Sequence, residues 1–143
     1  DIEHTQQLIK DYKEEFKKLS IYDIAKPYGI TDVEKYYDSA KVYKSGAGRH
    51  IKGALFYNKA IKDLDLESKY NLIYSGDKIK MLNLKLPNKL HTDVICYVDS
   101  LPKEFDLHDK VDYNNMWNLL FYDPMTQVFE TCDWQIEKKT TLF

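Results

Sequence analysis

Cysteine, proline and glycine are scarce in this 143-residue sequence, which contains two, four and five of them. Two cysteines are too few for a disulfide framework, and the apolar surroundings of Cys96 and Cys132 predict two buried thiols. No apolar run approaches the length of a membrane-spanning helix and no secretion signal is visible, so we expect no membrane partner. The chain begins with Asp1 rather than methionine, and we expect a fragment of a longer protein or a trimmed product.

Most sequence patterns of catalysis are also missing. The chain has no glycine-rich phosphate loop followed by Lys-Ser or Lys-Thr, and no serine in a nucleophile elbow. Its four histidines have no metal-ligand spacing with the cysteines. The alternating carboxylates Asp63, Asp65 and Glu67 offer oxygen ligands to a divalent metal, so a metal-dependent nuclease stays open as an alternative to a simple polar turn.

What the sequence has in abundance is tyrosine, with 12 residues against six phenylalanines and two tryptophans. A hydrophobic fraction of 43% is enough for a core, and the length predicts one domain over residues 1–143. Tyrosine suits half-buried surfaces and interfaces. Because exposed tyrosines also stack on unpaired bases, a stand-alone module that binds single-stranded nucleic acid is a second alternative.

Charge is distributed unevenly along the chain, although the formal net charge is only -2. Residues 41–62 contain six basic residues and no acidic one, whereas residues 99–137 contain nine carboxylates and two lysines. A loop with Gly46 and Gly48 precedes a predicted helix start near His50, where free backbone N–H groups favour an anion. We expect these cations, without acidic neighbours, to bind a phosphate backbone; a solvated basic face is the simpler alternative.

Apolar residues at spacings of three and four predict helices over residues 4–19, 50–62 and 111–121. A shorter helix over residues 31–39 has the pattern of a capping box between Thr31 and Glu34. Asp123 and Pro124 are typical of an N-cap and a first helical position, so we expect the 111–121 helix to stop there and a last helix to begin.

Two segments predict strands between these helices. Residues 78–86 alternate, but the alternation changes phase at Met81 and Leu82, which we interpret as a one-residue bulge. Residues 93–98 predict a second strand, and the two together predict a hairpin. The sequence as a whole therefore predicts an α+β fold with helices at both ends around a small antiparallel sheet.

One segment carries a family resemblance. From Arg49 to Lys62 the chain reads R-H-I-K-G-A-L-F-Y-N-K-A-I-K. This closely resembles the H-I-R-G-x-L-x-Y-N-R-A-I-K segment in the thumb of family B replicative DNA polymerases from T-even-type bacteriophages. Weaker likenesses follow the same order along nearly the whole chain, at Glu14-Glu15-Phe16, Ile24-Ala25, Gly76-Asp77-Lys78-Ile79, Leu86-Pro87-Asn88 and Glu137 to Phe143.

The resemblance implies that the chain is the carboxyl-terminal thumb of such a polymerase, a nucleotidyltransferase of DNA replication in the cytoplasm of the infected bacterial host. A thumb grips primer–template duplex and is not catalytic alone. Its partners would be the palm, fingers and exonuclease domains, and the palm would hold the magnesium ions, with no cofactor in this chain. Tyr74 to Asp77 is only superficially similar to the palm motif, because Ile79 stands where the second carboxylate is required.

Residue by residue, the resemblance assigns DNA contacts to His50, Lys52 and Lys59, which match basic positions of the family. Neighbouring cations complete the predicted DNA-binding set: Lys44, Arg49, His50, Lys52, Lys59 and Lys62. Gly46-Ala47-Gly48 replaces a Lys-x-Pro of the family, and the lysines of its late helices are not matched at Phe121 to Pro124. The tail at about residues 138–143 resembles a sliding-clamp peptide, with Leu142 and Phe143 as its apolar anchors.

Overall fold

The computed structural model describes residues 1–132 and has a mixed α+β fold, which confirms the predicted class. Two compact units are present: Ala25–Asp112 forms one, and Asp1–Ile24 joins residues 113–132 in the other. The expectation of one domain stays a prediction. The elements in chain order are α1 (Ile2–Phe16), α2 (Ile21–Ile24), β1 (Lys26–Gly29), α3 (Val33–Tyr36), β2 (Tyr37–Asp38), β3 (Val42–Tyr43), α4 (Arg49–Asp63), β4 (Lys78–Asn83), β5 (Val94–Tyr97), a 3₁₀ turn (Lys103–Phe105), α5 (Tyr113–Trp117), a π-helical turn (Asn118–Tyr122) and α6 (Asp123–Thr131).

The unit Ala25–Asp112 is built on an antiparallel sheet with strand order β1-β4-β5, and β2 and β3 form a separate hairpin. Helix α4 packs against β5 at very short range. A Cβ at Gly53 would lie 2.8 Å from the Cys96 sulfur and 3.1 Å from backbone atoms of β5, so only glycine permits this approach. Around this contact lies the core, with Leu55, Ile61, Leu82, Ile95, Cys96 and Tyr97 all buried.

The predicted hairpin of β4 and β5 is confirmed, but the bulge is wrong. The pairing runs without a break from Lys80 opposite Tyr97 to Asn83 opposite Val94. Met81 and Leu82 are both buried although neighbouring residues of a strand point to opposite faces. The change of phase therefore marks the place where both faces of β4 become covered. The strand ends at Asn83, and a single bridge joins Leu84 to Val111 beyond it.

Helix α3 exists, but the predicted capping box does not form. The N-cap is Asp32 in a left-handed conformation, and no side chain caps it from within the segment. Instead the hydroxyl of Ser75, 42 residues away, accepts a hydrogen bond from the Val33 amide at 3.1 Å. The same hydroxyl donates to Glu34. The helix stops at Tyr36, short of the predicted end at 39, because the chain turns into the β2–β3 hairpin.

The other unit is helical, with α1 confirming the predicted first helix. Phe16 makes edge-to-face contacts with Tyr113, Trp117 and Phe121. The prediction that a last helix begins at Asp123 and Pro124 is confirmed, with the proline in its first turn. The predicted break is wrong, because Tyr122, not Asp123, is the N-cap and still has helical dihedrals. Proline lacks the N–H that an α-helical turn would need there, and the preceding turn is π-helical instead.

The two cysteines differ in exposure. Cys96 is completely buried, as predicted, whereas Cys132 is exposed and the prediction for it is wrong. Burial raises the pKa of the Cys96 thiol well above its ordinary value. Among the described residues no helix is long and apolar enough to cross a membrane.

Candidate nucleic-acid interface

The start of α4 leaves backbone donors available. Gly48 is the N-cap, has an extended conformation, and no side chain of the described residues caps the helix there. The first turn of α4 contains no acidic residue. Gly46 turns the preceding loop with a φ of 90°, and the His50 ring lies 3.1 Å from where a Cβ of Gly48 would stand. The amides of this first turn and the helix dipole together favour an anion.

Two of the predicted DNA-binding cations are held by Asn83 at the end of β4 and Asp93 just before β5. Arg49 donates to the buried Asn83 side-chain oxygen at 2.6 and 3.2 Å and pairs with Asp93 at 3.2 Å. Lys52 pairs with the other Asp93 oxygen at 3.4 Å and lies 5.0 Å over the Tyr43 ring. The expectation that these cations have no acidic neighbours is therefore wrong, because the fold brings Asp93 to them from outside the basic segment.

Asp93 is ionised in this arrangement. Partial burial raises the pKa of its carboxyl, but the Arg49 hydrogen bond and charge and the nearby Lys52 outweigh burial and hold it below the ordinary value. One carboxylate thus faces two cations, and a net positive charge remains. Both cations are also partly exposed, with Arg49 47% and Lys52 23% accessible, so they can still reach an external phosphate.

His50 follows Arg49 in the first turn of α4, and its ring packs against that of Tyr28 in β1. The two rings are nearly parallel at 13°, with centroids 4.9 Å apart, and the Lys26 ammonium lies 5.2 Å from the Tyr28 centroid. Burial lowers the pKa of His50, so its neutral form is favoured. In the free protein His50 is therefore a stacking residue more than a cation, and its backbone carbonyl accepts a hydrogen bond from the Cys96 thiol.

Lys59 and Lys62 lie near the opposite end of α4. At about 1.5 Å of rise per residue, Lys62 is about 20 Å along the helix from Arg49. Lys59 forms an ion pair with Asp63 one turn later. Lys62 is exposed, has no ion pair within residues 1–132, and lines a groove of about 370 Å³ with Tyr37 and Tyr74. The five predicted residues on α4 thus form two groups rather than one cluster.

Lys44 follows β3 and precedes the glycine loop that leads into α4. Its side chain is exposed and has no ion pair in the described part of the chain, while its amide donates to the Tyr36 carbonyl at 2.7 Å. Asp38, in the same hairpin, accepts hydrogen bonds from the amides of Ala40 and Lys41. These bonds lower the pKa of Asp38, with smaller contributions from the charges of Lys41 and Lys44.

The sequence analysis missed further basic side chains that the fold places beside α4. Lys89 and His91, from the loop between β4 and β5, line a groove of about 390 Å³ together with Phe56 and Lys59. Lys85, at the start of the same loop, is exposed. The sequence does indicate a basic loop, because residues 84–92 contain lysines and no carboxylate, but the same residues also fit the end of a strand followed by a turn.

Tyr57 and Asn58, the uncharged polar residues of the family segment, have structural roles. Tyr57 donates to the Asn71 carbonyl at 2.9 Å, and burial raises its pKa to about 12. Asn58 donates to the Ile73 carbonyl and accepts from the Ile73 amide. These bonds fix the segment after α4 against the helix.

The alternative metal site does not assemble among residues 1–132, where no three His, Cys, Asp or Glu side chains come together. Asp63 is paired with Lys59, and Asp65 lies in a left-handed turn. Asp77, the carboxylate of the palm-like segment, accepts from the Tyr74 amide at 2.9 Å and so closes a local turn. The predicted clamp anchors, Leu142 and Phe143, lie outside the described residues.

Comparison with known proteins yields neither a matching family model nor a matching curated protein. The function is therefore argued from the chemistry of this surface and from the resemblance of its central segment.

Proposed function

We propose that this chain is the thumb of a family B DNA polymerase of the T-even bacteriophage type and that it binds primer–template duplex through the α4 surface. The observation that carries the proposal is the start of α4. An uncapped helix N-terminus follows a glycine loop, Arg49 and Lys52 lie in the first turns of the helix, and the exposed Lys44 precedes the loop in the chain. Backbone amides and flexible cations bind phosphates without reading bases, as a protein that slides along any sequence requires.

The remaining parts of the proposal come from the resemblance. The palm, fingers and exonuclease domains would supply catalysis and the magnesium ions, and the chain would act in the cytoplasm of the infected bacterium. Leu142 and Phe143 would anchor a sliding clamp, because apolar anchors carry most of the affinity of such peptides. The duplex affinity of the isolated chain should be modest, roughly 10⁻⁴ to 10⁻⁶ M at physiological salt, as for nonspecific binding.

A duplex-binding titration at two salt concentrations tests the proposal. Reversing Arg49 and Lys52 is a poor choice, because new carboxylates would face Asp93 and disturb the fold. Lys44→Glu with Lys62→Glu changes exposed cations that have no ion pair within residues 1–132. We expect at least a tenfold loss of affinity and a shallower salt dependence.

The matched control is Lys103→Glu with Lys110→Glu, which makes the same charge change in an acidic stretch of the chain. Circular dichroism should show that both pairs of variants are folded. If the Lys44 and Lys62 variant binds duplex as tightly as the unmodified chain at both salt concentrations, the basic segment is only a solvated face and the proposed site is wrong.

One observation favours a second function, the binding of single strands. Tyr37 and Tyr74 are 50% and 58% exposed and line the same groove as Lys62. Exposed aromatic rings beside a cation are typical of surfaces on which bases stack. Competition between duplex and oligothymidylate of equal phosphate number separates the two functions, since a thumb should prefer duplex.

A further inference from the structure

The loop between β4 and β5 has an apolar tip that is open to solvent. Leu86 is 61% exposed, and Pro87 beside it is exposed as well. Isolated exposed leucines are common on proteins, so exposure alone carries no meaning. Three features distinguish this tip: the chain below it is held by hydrogen bonds, cations flank it, and it lies beside α4.

The chain below the tip is held by hydrogen bonds of the buried Asn88 side chain. The side-chain amide of Asn88 donates to the carbonyls of Lys85 and Thr92 at 2.9 and 2.7 Å, and its oxygen accepts from the Leu90 amide at 3.1 Å. The Lys85 amide donates to the Lys110 carbonyl at 2.7 Å. Because the loop is already ordered, little conformational entropy is lost when its tip enters a binding partner.

Cations stand on both sides of the tip. Lys85 is exposed and makes no ion pair within residues 1–132. Lys89 donates to the backbone carbonyl of Glu104, which is neutral, so its positive charge is not cancelled. Residues 84–92 contain no carboxylate, and the carboxylate of Glu104, whose backbone carbonyl holds Lys89, is paired with Lys69. The two cations beside Leu86 therefore favour a polyanion over an apolar protein surface.

The loop also continues the α4 surface. Its last residue, Asp93, is bound to Arg49 and Lys52, and its Lys89 lines one groove with Lys59 of α4. A duplex that contacts α4 through its phosphates therefore lies within reach of the loop. Apolar side chains flanked by cations are the wedges that other proteins insert between base steps from the minor groove.

We propose that Leu86 and Pro87 insert into the minor groove of the bound duplex and partly unstack one base step, while Lys85 and Lys89 contact the phosphates on either side. This inference rests on the proposed duplex binding and adds a wedge to it. The wedge would kink the duplex toward its major groove without reading its sequence, because unstacking at a flexible step needs no base-specific hydrogen bond.

The test uses a duplex with 2-aminopurine at a central TA step, whose fluorescence rises when the base unstacks. We expect the unmodified chain to raise the fluorescence, and Leu86→Ala to lose the rise and to bind at least threefold more weakly. Lys85→Gln with Lys89→Gln should reduce the slope of log affinity against log salt concentration by nearly two. Val98→Ala removes an equally apolar, 38% exposed side chain of the same unit and should leave both readings unchanged.

The outcomes separate this inference from the proposed function. Duplex binding with no fluorescence rise, or a full rise with Leu86→Ala, overturns the wedge and leaves duplex binding intact. Failure of the unmodified chain to bind duplex overturns both proposals. Loss of the rise in the Val98→Ala control would mean that the signal does not come from the tip, and it too would overturn the wedge.

Discussion

The Arg49 guanidinium and the Asp93 carboxylate, separated by 44 residues in the chain, meet at an Nη1–Oδ2 distance of 3.2 Å. The contact joins the start of α4 to the end of the β4–β5 loop. Arg49 also donates to the backbone carbonyl of Asp93 at 3.1 Å, so the contact is more than a pair of charges. It places the two elements of the proposed DNA surface side by side, and it makes Arg49 a residue of the fold as well as of the site.

Replacing Arg49 by methionine should therefore lower the free energy of unfolding. The ion pair is about half exposed and contributes little, but the hydrogen bonds to buried Asn83 are lost, and we expect a decrease of about 1–2 kcal/mol. Urea unfolding measures the change. Lys78→Met is the control, because Lys78 is exposed at the start of β4 and its loss should change stability by less than about 0.5 kcal/mol. Equal effects of the two variants would contradict the structural role of Arg49.

The same contact predicts an acid dependence. The folded-state pKa of Asp93 lies below the ordinary value of 3.8, so its contribution to stability is fully present above pH 3.8 and is lost as the pH falls through the folded value. The difference in unfolding free energy between Asp93→Asn and the unmodified chain should be constant from pH 5 to 7 and shrink below pH 3.8. A difference in unfolding free energy that grew as the pH fell would contradict a lowered pKa of Asp93.

Gly53→Ala should be strongly destabilising although alanine favours helices. The added methyl group would meet the Cys96 sulfur at 2.8 Å and the backbone of β5 at 3.1 Å, and backbone atoms cannot turn aside. Overpacking of this kind costs about 1–3 kcal/mol. Gly29→Ala is the matched control, since nothing lies within 4 Å of its new Cβ. Thermal unfolding of the two variants in parallel measures the difference, and similar midpoints would show that α4 can move away from β5.

Local patterns in the sequence were sufficient for the helices α1 and α4 and for the β4–β5 hairpin. The spacing of apolar residues within each segment decides those elements, and no distant residue is needed. The bulge at Met81 and Leu82 was a wrong interpretation of a correct observation. A change of phase results from a bulge or from burial of both faces, and the sequence alone does not distinguish the two causes.

The contacts that the sequence analysis missed join residues far apart in the chain. Ser75 caps α3 from 42 positions away, and no local pattern marks it as a cap. Asp93 lies outside the basic segment, so a count of charges between residues 41 and 62 does not include the carboxylate that faces Arg49. Trp117 and Phe121, just before and within the π-helical turn, pack on Phe16 of α1, and no local pattern near Pro124 indicates that contact.

The position of His50 predicts a second pH dependence. Burial lowers its folded-state pKa below the ordinary 6.5, so the unfolded chain binds the proton more tightly. Its contribution to stability is therefore complete above pH 6.5 and decreases as the pH falls from there through the folded-state value. His50→Gln should flatten the stability profile in that window. His4→Gln, an exposed substitution in α1, controls for the change of side chain, and an unchanged profile in His50→Gln would remove His50 as the cause.

The last prediction concerns activity, and it follows from the positions of the carboxylates. Two-metal nucleotidyl transfer needs a pair of carboxylates that hold both ions. Asp77 closes a turn with the Tyr74 amide, Ile79 occupies the second position, and Asp63 is bound to Lys59. We therefore expect the purified chain to bind a primed template without extending it in the presence of magnesium and nucleotides. Primer extension followed on a sequencing gel measures this, with a complete family B polymerase as the positive control. Template-directed extension by the chain alone, surviving repeated purification and lost when Asp77 is replaced by asparagine, would contradict the thumb assignment and place a catalytic centre in this domain.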